Sequence, residues 1–472
     1  MEAPSFYDTI LPAIPTCGQS VRRIHSPFRP PENLQHPEHT RKHRPQGAPH
    51  VRILFSAYSE KTHFFSMVPL AWALRAAGHE VRVASHPELA PTITEAGLTA
   101  VPVGRDHGMW RVLSTVHGTK HWSQVPPFDV ADQPADAVSF EYLKDGYDGV
   151  VPWWFRLTND SLSADLIEFA RQWRPDLVVW EPTTFAGAVA AEAVGALHAR
   201  LTWGVDLHGR VREMFVHARD QQRRGPEDDP LRRWLARLAG SAGVPYSERL
   251  TVGHFTIDQL PPSFRLPTSL RYVDMRYVPY NGPSVVEEWL RRPPSRPRVG
   301  VCLGLTARER GGDEPLPLAR IVEALAAADV EVVVAPAPTG VRLPANVRTA
   351  EFVPLQALAP TCSALVHHGG FGTACTTSVH GVPQLAIADQ LDAPLISRGI
   401  ERYGAGLHLD PRDADPASVS GALARLLGEP GFRRGAERLR EDMTALPSPA
   451  SVAEQLVESV SEHRARQSTP AR

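Results

Sequence analysis

The segment from Ser363 to Gly406 constrains the fold of this chain more than any other. Its pattern predicts a buried strand over Ala364–Val366, a glycine-rich turn over His367–Gly372, a helix from Thr373 to His380 and a second strand over Gln384–Ala388. A strand, a helix and a strand in this order form a βαβ unit, which implies parallel pairing. We therefore expect an α/β protein whose loops carry the functional groups.

The glycine-rich turn has the chemistry of a phosphate site. The unpaired N–H groups and the partial positive charge of a helix N-terminus attract an anion. Glycines allow the backbone to bend and to approach that anion closely, and imidazole and hydroxyl groups add side-chain donors. The candidate diphosphate-binding residues are His367, His368, Gly369, Gly370, Gly372 and Thr373.

Polar side chains follow the next predicted strand. Asp389, Gln390 and Asp392 would lie at the C-terminal edge of a parallel sheet, where open α/β folds bind ligands. Their carboxylate and amide groups can accept hydrogen bonds from the hydroxyl groups of a sugar. A phosphate cradle followed by these acceptors predicts a nucleotide-sugar pocket.

Length, charge and cysteine usage exclude several classes of protein. A chain of 472 residues is too long for one core, so we expect two domains. A formal net charge of −2 provides no field that would gather nucleic acid or an anionic membrane. No apolar run approaches the roughly 20 residues that a membrane helix requires. Four scattered cysteines without zinc-site spacing are typical of a reducing compartment, which predicts a cytoplasmic protein.

Composition divides the chain into five parts. Residues 1–50 are rich in Pro, His and Arg, which predicts a disordered segment or a leader, with a partner-binding arm as the alternative. Residues 51–283 and 298–449 show strand–helix alternation and form the two predicted domains. The proline-punctuated stretch 284–297 is the linker between them, and 450–472 form a last helix and a tail.

His63 is the candidate general base. It lies where the first strand meets the first helix, and an imidazole can take a proton from an attacking hydroxyl near neutral pH. Glu181, which closes the strand PDLVVWE, is the candidate carboxylate that orients His63. A rim charge or a helix-cap neighbour is the alternative interpretation of Glu181, and Asp206 is the alternative partner of His63.

An aromatic stretch between residues 104 and 160 is the candidate acceptor side. Flat apolar molecules stack on indole rings, which indicates Trp110, Trp153 and Trp154 as acceptor-binding residues. The alternative is that one or two of these rings fill the core of the N-terminal domain.

The Ser363–Gly406 segment resembles the donor-site signature of the GT-B glycosyltransferases of glycosyltransferase family 1. The strings MRYVPYNGP and PDLVVWEPTTFAGAVAA narrow the resemblance to actinomycete enzymes that attach deoxysugars to macrolide and anthracycline polyketides. The resemblance extends from about Val51 to about Val460. It implies two Rossmann-like parallel-sheet domains that face each other across a cleft, with the last helix returning to the N-terminal domain.

The resemblance also assigns individual residues. The string THFFSMVPLAWALRAAGHEV is similar to the family segment whose histidine is the general base, which supports His63. Phe352, Val353 and Leu355 match the segment that borders the nucleobase, and Thr306 matches a loop near the sugar. No DxD-type metal motif stands in a suitable place, so we expect no metal ion. Hydrogen-bond donors would then neutralise the leaving diphosphate.

Together these features predict an inverting, metal-independent hexosyltransferase. It would move a deoxysugar from a thymidine diphosphate donor to a hydroxyl group of a polyketide aglycone, with no cofactor besides the donor. The resemblance further implies a possible partner, a cytochrome-like auxiliary protein that lacks its haem ligand. Two alternatives are a nucleotide-sugar epimerase of the same architecture and a non-catalytic protein that binds aglycone or sugar nucleotide.

Overall fold

The computed structural model describes residues 50–109, 125–302, 304, 318–326, 328–336 and 343–468. Two parallel sheets with helices between their strands form this part of the chain. Apart from His50, the segment 1–50 lies outside the described residues, and its predicted character stays a prediction.

The first sheet has the strand order β3-β2-β1-β4-β5-β6-β7, and all of its pairings are parallel. Its strands are β1 Arg52–Ser56, β2 Glu80–Ser85, β3 Ala100–Pro102, β4 Leu177–Trp180, β5 Leu197–Leu201, β6 Thr256–Asp258 and β7 Tyr272–Asp274. The central strands are buried along their length, as expected where helices cover both faces of a parallel sheet.

The second sheet has the order β10-β9-β8-β11-β12-β13 and is also wholly parallel. Its strands are β8 Arg298–Cys302, β9 Glu331–Ala335, β10 Val347–Thr349, β11 Ala364–His367, β12 Gln384–Ile387 and β13 Gly406–Leu409. The predicted domain limits at 283 and 298 fall between the end of β7 and the start of β8, and they stay predictions.

Helices connect the strands on both faces of each sheet. The α-helices are Lys61–Ala76, Ala90–Glu95, Phe140–Val150, Leu157–Asn159, Ser163–Trp173, Phe185–Glu192, Leu207–Gln221, Pro230–Ser241, Arg249–Val252, Leu318–Ala326, Leu355–Leu358, Phe371–Val379, Ala393–Arg402, Pro416–Gly428, Pro430–Ala445 and Pro449–Ser468. Val151–Arg156 is π-helical and continues the helix before it. Short 3-10 turns occupy Pro87–Leu89, Phe128–Val130, Ala135–Ala137, Pro226–Asp228, Pro262–Phe264, Glu288–Arg291 and Ala359–Thr361.

The last helix, Pro449–Ser468, packs against the N-terminal domain. Its apolar residues Val452 and Leu456 are fully buried in one cluster with Leu70 and Leu201 of that domain. Burying such side chains contributes roughly 1.5–3 kcal/mol each, so the contact holds this helix on the N-terminal domain. Within the described ranges, no helix combines the length and the apolar character needed to cross a membrane.

Candidate functional site

Three adjacent strands of the first sheet bring His63, Glu181 and Trp203 together. β1, β4 and β5 are neighbours, so the residues after their C-terminal ends share one edge of the sheet. His63 is the third residue of the helix that follows β1, and Glu181 directly follows β4. Trp203 lies two residues beyond the end of β5.

His63 and Glu181 are in contact. Nδ1 of His63 lies 3.3 Å from Oε2 of Glu181, and the two side chains are 9% and 0% exposed. The ring nitrogen is not aligned with the carboxylate for a hydrogen bond, so the two groups are close without being hydrogen-bonded. The pair predicted from the sequence is thus close in space, while the roles of base and orienting group stay predictions.

The Glu181 carboxylate is a buried charge with many donors. Thr183 donates its backbone N–H at 3.1 Å and its hydroxyl at 2.9 Å, and the Thr184 hydroxyl donates as well. The Trp203 indole N–H adds a hydrogen bond of 3.0 Å. Burial by itself raises the pKa of Glu181, but the hydrogen bonds and the charge of His63 outweigh it and hold the pKa below its usual value. Glu181 is therefore ionised and is not a solvated rim charge.

Sequence analysis did not single out Trp203. Its ring stacks on His63, with centroids 3.9 Å apart and planes 14° from parallel. The only signal in the sequence is its place just after a strand that ends at the same edge. Asp206, the alternative partner of His63, instead forms a two-pronged ion pair with Arg200 at 2.6 and 3.0 Å. It also caps the next helix through the N–H of Gly209 at 2.8 Å.

The glycine turn forms the N-terminus of the helix Phe371–Val379. Gly370 is the cap, and the first intrahelical hydrogen bond runs from Ala374 to its carbonyl at 3.0 Å. The N–H groups of residues 371–373 therefore have no partner inside the helix and can hold an anion. Gly369 has φ +82°, and a Cβ there would lie 2.6 Å from the Cβ of Ala388. A glycine is thus required at 369 for both conformation and space.

The two histidines of the turn differ in whether their ring nitrogens are available to a ligand. His367 is fully buried, accepts the Gly369 N–H on Nδ1 at 2.9 Å, and therefore donates from Nε2 to Gln384 at 2.8 Å. Burial lowers the pKa of His367 to about 3, so its ring is neutral. With both nitrogens engaged, His367 holds the shape of the turn and has no ring atom left for phosphate, which differs from the prediction.

His368 is the half-buried imidazole at the turn. Its Nδ1 lies 3.5 Å from the carbonyl oxygen of Cys302, and its ring faces Gly304 and Gly370. A Cβ at Gly304 would lie 2.9 Å from Nε2 of His368, so glycine at this position leaves room for the ring. Thr373 is also half-buried, in the first turn of the helix. His368 and Thr373 are thus more exposed than His367, and their predicted contacts with a diphosphate stay predictions.

The acidic cluster after β12 reaches across the cleft between the domains. Asp389 is half-buried, Gln390 is exposed, and Asp392 is 9% exposed. Oδ2 of Asp392 accepts a hydrogen bond of 3.0 Å from the N–H of Val205, which follows β5 of the first sheet. Burial raises the pKa of Asp392 to about 6. Thr306, the remaining candidate for the donor sugar, lies outside the described residues.

The candidate nucleobase residues have unequal exposure. Val353 and Leu355 are 8% and 7% exposed and belong to a buried cluster of the second domain that includes Leu358 and Val382. Their side chains fill that core, so only their backbone groups are available to a ligand. Phe352 is half-buried and is the side chain of the three that is open to solvent.

A pocket beside His63 and Glu181 is lined by residues from both domains. Phe128, Trp203 and His208 contribute from the first domain, and Leu391 and Asp392 contribute from the second. Nδ1 of His208 is buried and has no hydrogen-bond partner among the described residues. Burial lowers the pKa of His208 to about 4, so a neutral imidazole faces aromatic rings in this pocket.

The candidate acceptor tryptophans lie behind that pocket. Trp154 is 2% exposed and packs on Phe128 and His208, with ring centroids 6.3 and 5.9 Å apart. Trp153 is half-buried and stacks on Trp154 at 5.9 Å. In the described structure, neither ring lines the pocket, and the alternative that Trp154 fills the core describes it better. Trp110 lies outside the described residues.

One group of possible metal ligands stands in the described ranges, at the opposite edge of the first sheet. Ligand atoms of Glu192, His198 and His254 lie within 4.8 Å of one another. The Trp180 indole N–H donates to Nδ1 of His198 at 3.2 Å, so the neutral ring carries its proton on Nε2 and donates to Glu192 at 3.1 Å. A metal on Nε2 would require the loss of that proton. The group therefore fits a hydrogen-bond network better than a metal centre.

Two models of known protein families match this chain. The model of the erythromycin biosynthesis protein CIII-like N-terminal domain matches residues 72–304, and that of the CIII-like C-terminal domain matches residues 319–459. The chain belongs to this family. It is a glycosyltransferase, and the expected GT-B fold of two Rossmann-like domains is confirmed.

Individual relatives agree with this assignment. The chain is 43% identical to the 10-deoxymethynolide desosaminyltransferase of Streptomyces venezuelae, over 88% of this chain and 98% of that one. It is 40% identical to the aclacinomycin-T 2-deoxy-L-fucose transferase of Streptomyces galilaeus, over 88% and 97%. Among solved structures, the glycosyltransferase VinC in complex with dTDP is 38% identical, with a TM-score of 0.77 over 87% of this chain and 100% of that one.

Proposed function

We propose that this chain transfers a deoxysugar from a thymidine diphosphate donor to a hydroxyl group of a polyketide aglycone, with inversion at the anomeric carbon and without a metal ion. The observation that carries the proposal is the contact between His63 and the buried, ionised Glu181 at 3.3 Å, beside a pocket to which both domains contribute. The names of the relatives support a transferase over an epimerase or a non-catalytic binding protein.

His63 supplies the base. Because Nδ1 faces Glu181, Nε2 is the ring nitrogen that takes the proton of the acceptor hydroxyl. The acceptor oxygen attacks the anomeric carbon from the side opposite the diphosphate. The bond between that carbon and the diphosphate oxygen breaks, and the diphosphate leaves with the electron pair. The ionised Glu181 stabilises the imidazolium that results, and backside attack inverts the anomeric centre.

The leaving diphosphate is stabilised by the glycine turn. Three backbone N–H groups at residues 371–373, the half-buried His368 and the Thr373 hydroxyl are the donors in reach of an anion there. Such fixed donors stabilise the charge that develops as the bond breaks, which is why no metal ion is invoked. Phe352 borders the nucleobase, and Asp389, Gln390 and Asp392 contact the sugar.

The pocket beside the pair combines aromatic rings with polar side chains, among them Asp206, His208 and Asp392. The half-buried Trp203 offers a flat surface for an aglycone, and His208 offers an imidazole whose lowered pKa keeps it uncharged. A neutral aglycone with carbonyl or hydroxyl groups matches these walls better than an anionic acceptor. An auxiliary cytochrome-like protein without its haem ligand is a further proposed partner, supported by the family resemblance alone.

The test is turnover of thymidine and uridine diphosphate deoxysugars with a panel of macrolactones and anthracyclinones, followed by mass spectrometry. Each reaction is run with and without EDTA and with and without a candidate auxiliary protein. We expect a mass gain of one deoxyhexose that survives EDTA and requires the thymidine donor. Donor consumption without a modified acceptor would point to an epimerase instead. Loss of product in EDTA, restored by a divalent ion, would contradict the metal-independent mechanism.

A further inference from the structure

Trp203 contacts both members of the catalytic pair through different parts of its ring. Its face lies on the His63 imidazole, with centroids 3.9 Å apart and planes 14° from parallel. Its indole N–H donates to Oε2 of Glu181 at 3.0 Å. That is the same oxygen that lies 3.3 Å from Nδ1 of His63. One side chain therefore fixes the plane of the imidazole and the position of the carboxylate oxygen beside it.

Trp203 is needed to orient His63 because the hydrogen bonding of the imidazole does not fix the plane of its ring. Nδ1 of His63 is buried but makes no aligned hydrogen bond, so the Glu181 contact alone does not set the orientation of the ring. Tyr58 meets the imidazole edge to face at 5.2 Å, which limits its sideways movement but not its tilt. The stacked indole is the contact that defines the plane. In that plane, Nδ1 stays next to the carboxylate while Nε2 is the remaining nitrogen for the acceptor.

We propose that Trp203 is a positioning residue, which holds the His63 imidazole and the Glu181 carboxylate in the arrangement needed for proton removal from the acceptor. The inference rests on the proposed function, because it assumes that His63 is the base. Trp203 also lines the pocket beside the pair, so a role in acceptor binding alone is the competing explanation. That role would alter the KM for acceptor without acting through His63.

Two substitutions separate the parts of the indole. Trp203→Phe keeps an aromatic face for stacking and removes the N–H, and we expect kcat to fall about threefold to tenfold, as for one lost hydrogen bond. Trp203→Leu removes both contacts, and we expect kcat to fall about 20- to 100-fold with the KM for donor unchanged. Trp72→Leu is the matched control, since Trp72 is 38% exposed on the first helix, and it should retain kcat within about twofold.

A double-mutant cycle then asks whether Trp203 acts through His63. In a His63→Ala background, adding Trp203→Leu should change the residual single-turnover rate by less than about twofold, because the residue that it positions is gone. An equal loss in both backgrounds would overturn the proposal and leave Trp203 as a wall of the pocket. An undiminished rate in His63→Ala alone would reject the proposed base, which is a separate failure.

The stacking contact has its own spectroscopic readout, which holds whatever the role of His63 in the reaction. In protein labelled with ¹³C at histidine Cε1, the ring current of Trp203 should displace the His63 signal upfield. This displacement should persist in Trp203→Phe and disappear in Trp203→Leu. A His63 signal at the same position in wild type and Trp203→Leu would contradict the stacked arrangement, and with it the proposal.

Discussion

Replacement of Glu181 by glutamine isolates the charge of the proposed dyad. The side chain is fully buried, and the donors around it come from Thr183, Thr184 and Trp203. An amide oxygen can keep the backbone N–H of Thr183 and the indole N–H, while the amide nitrogen faces the Thr184 hydroxyl, which can rotate to accept. We therefore expect Glu181→Gln to fold and to lose chiefly the negative charge next to His63.

The magnitude follows from the distance between the charges. Two unit charges about 4 Å apart at an effective dielectric constant of about 20 attract each other by roughly 4 kcal/mol. The amide dipole of glutamine retains part of this stabilisation, so we expect a loss of about 2–3 kcal/mol for the imidazolium that forms in the transition state. This corresponds to a fall in kcat of about 30- to 150-fold.

The assay is the rate of product formation at saturating donor and acceptor, with the KM of each substrate measured separately. The KM for donor should stay within about twofold, because Glu181 lies on the acceptor side. Glu454→Gln, an exposed change on the last helix, is the matched control and should leave kcat unchanged. A fall of less than about threefold in a folded Glu181→Gln protein would refute the argument that this carboxylate stabilises the imidazolium.

The remaining predictions concern the turn and the stability of the chain. Gly369→Ala should lower the free energy of unfolding by about 2–4 kcal/mol, because it combines a positive φ with overpacking. Gly240→Ala, in the last turn of a helix with no atom within 4 Å of the added Cβ, should raise it by about 0.5 kcal/mol, and urea unfolding measures both. His368→Ala should raise the KM for donor about tenfold with little change in stability, because this imidazole is proposed to contact the diphosphate. His367→Ala should instead lower the free energy of unfolding by about 1–3 kcal/mol, because it removes two buried hydrogen bonds. Equal effects of the two variants in both assays would contradict a binding role for His368 and a structural role for His367. Burial lowers the pKa of His86 and of His367 to about 3 in the folded protein. In the unfolded chain a histidine has a pKa of about 6.5, so below that pH the unfolded state binds protons that the folded state does not bind. The contribution of these two rings is therefore full above that pH and should fall by about 2–3 kcal/mol between pH 7 and pH 5.5, and the buried His208 adds a loss of the same sign. A flat urea midpoint over this range would contradict the buried, neutral state of these rings.

The location of the site at one edge of the first sheet could be predicted from sequence, because the C-terminal ends of parallel strands all lie at the same edge. His63 and Glu181 follow strands that are adjacent, and strand order plus a buried apolar run suffices to place them together. The roles within the turn could not be separated in this way. His367 ends its strand and its ring meets Gln384, the first residue of the neighbouring strand β12, and only the three-dimensional pairing shows that both ring nitrogens are already used.

Side-chain packing explains the other differences. The sequence around Val353 and Leu355 matches the family segment that borders the nucleobase. Both side chains are apolar, however, and they are buried in the core of the second domain. Trp154 likewise fills the space behind Phe128. Trp203 is not predicted from the sequence because its importance depends on contacts with Glu181, 22 positions away, and with His63, more than a hundred positions away, and no local pattern indicates them.

Base-assisted inversion at this site is tested most directly by analysing the products that wild type and His63→Ala form from one thymidine diphosphate deoxysugar and its aglycone. Mass spectrometry measures transfer, and the NMR coupling between the protons on C1 and C2 reports the configuration of the new glycosidic bond. We predict one deoxyhexose added with inverted configuration, and from His63→Ala only the small residual amount that single-turnover experiments detect. A retained configuration, or undiminished product from His63→Ala, would contradict base-assisted inversion at this site.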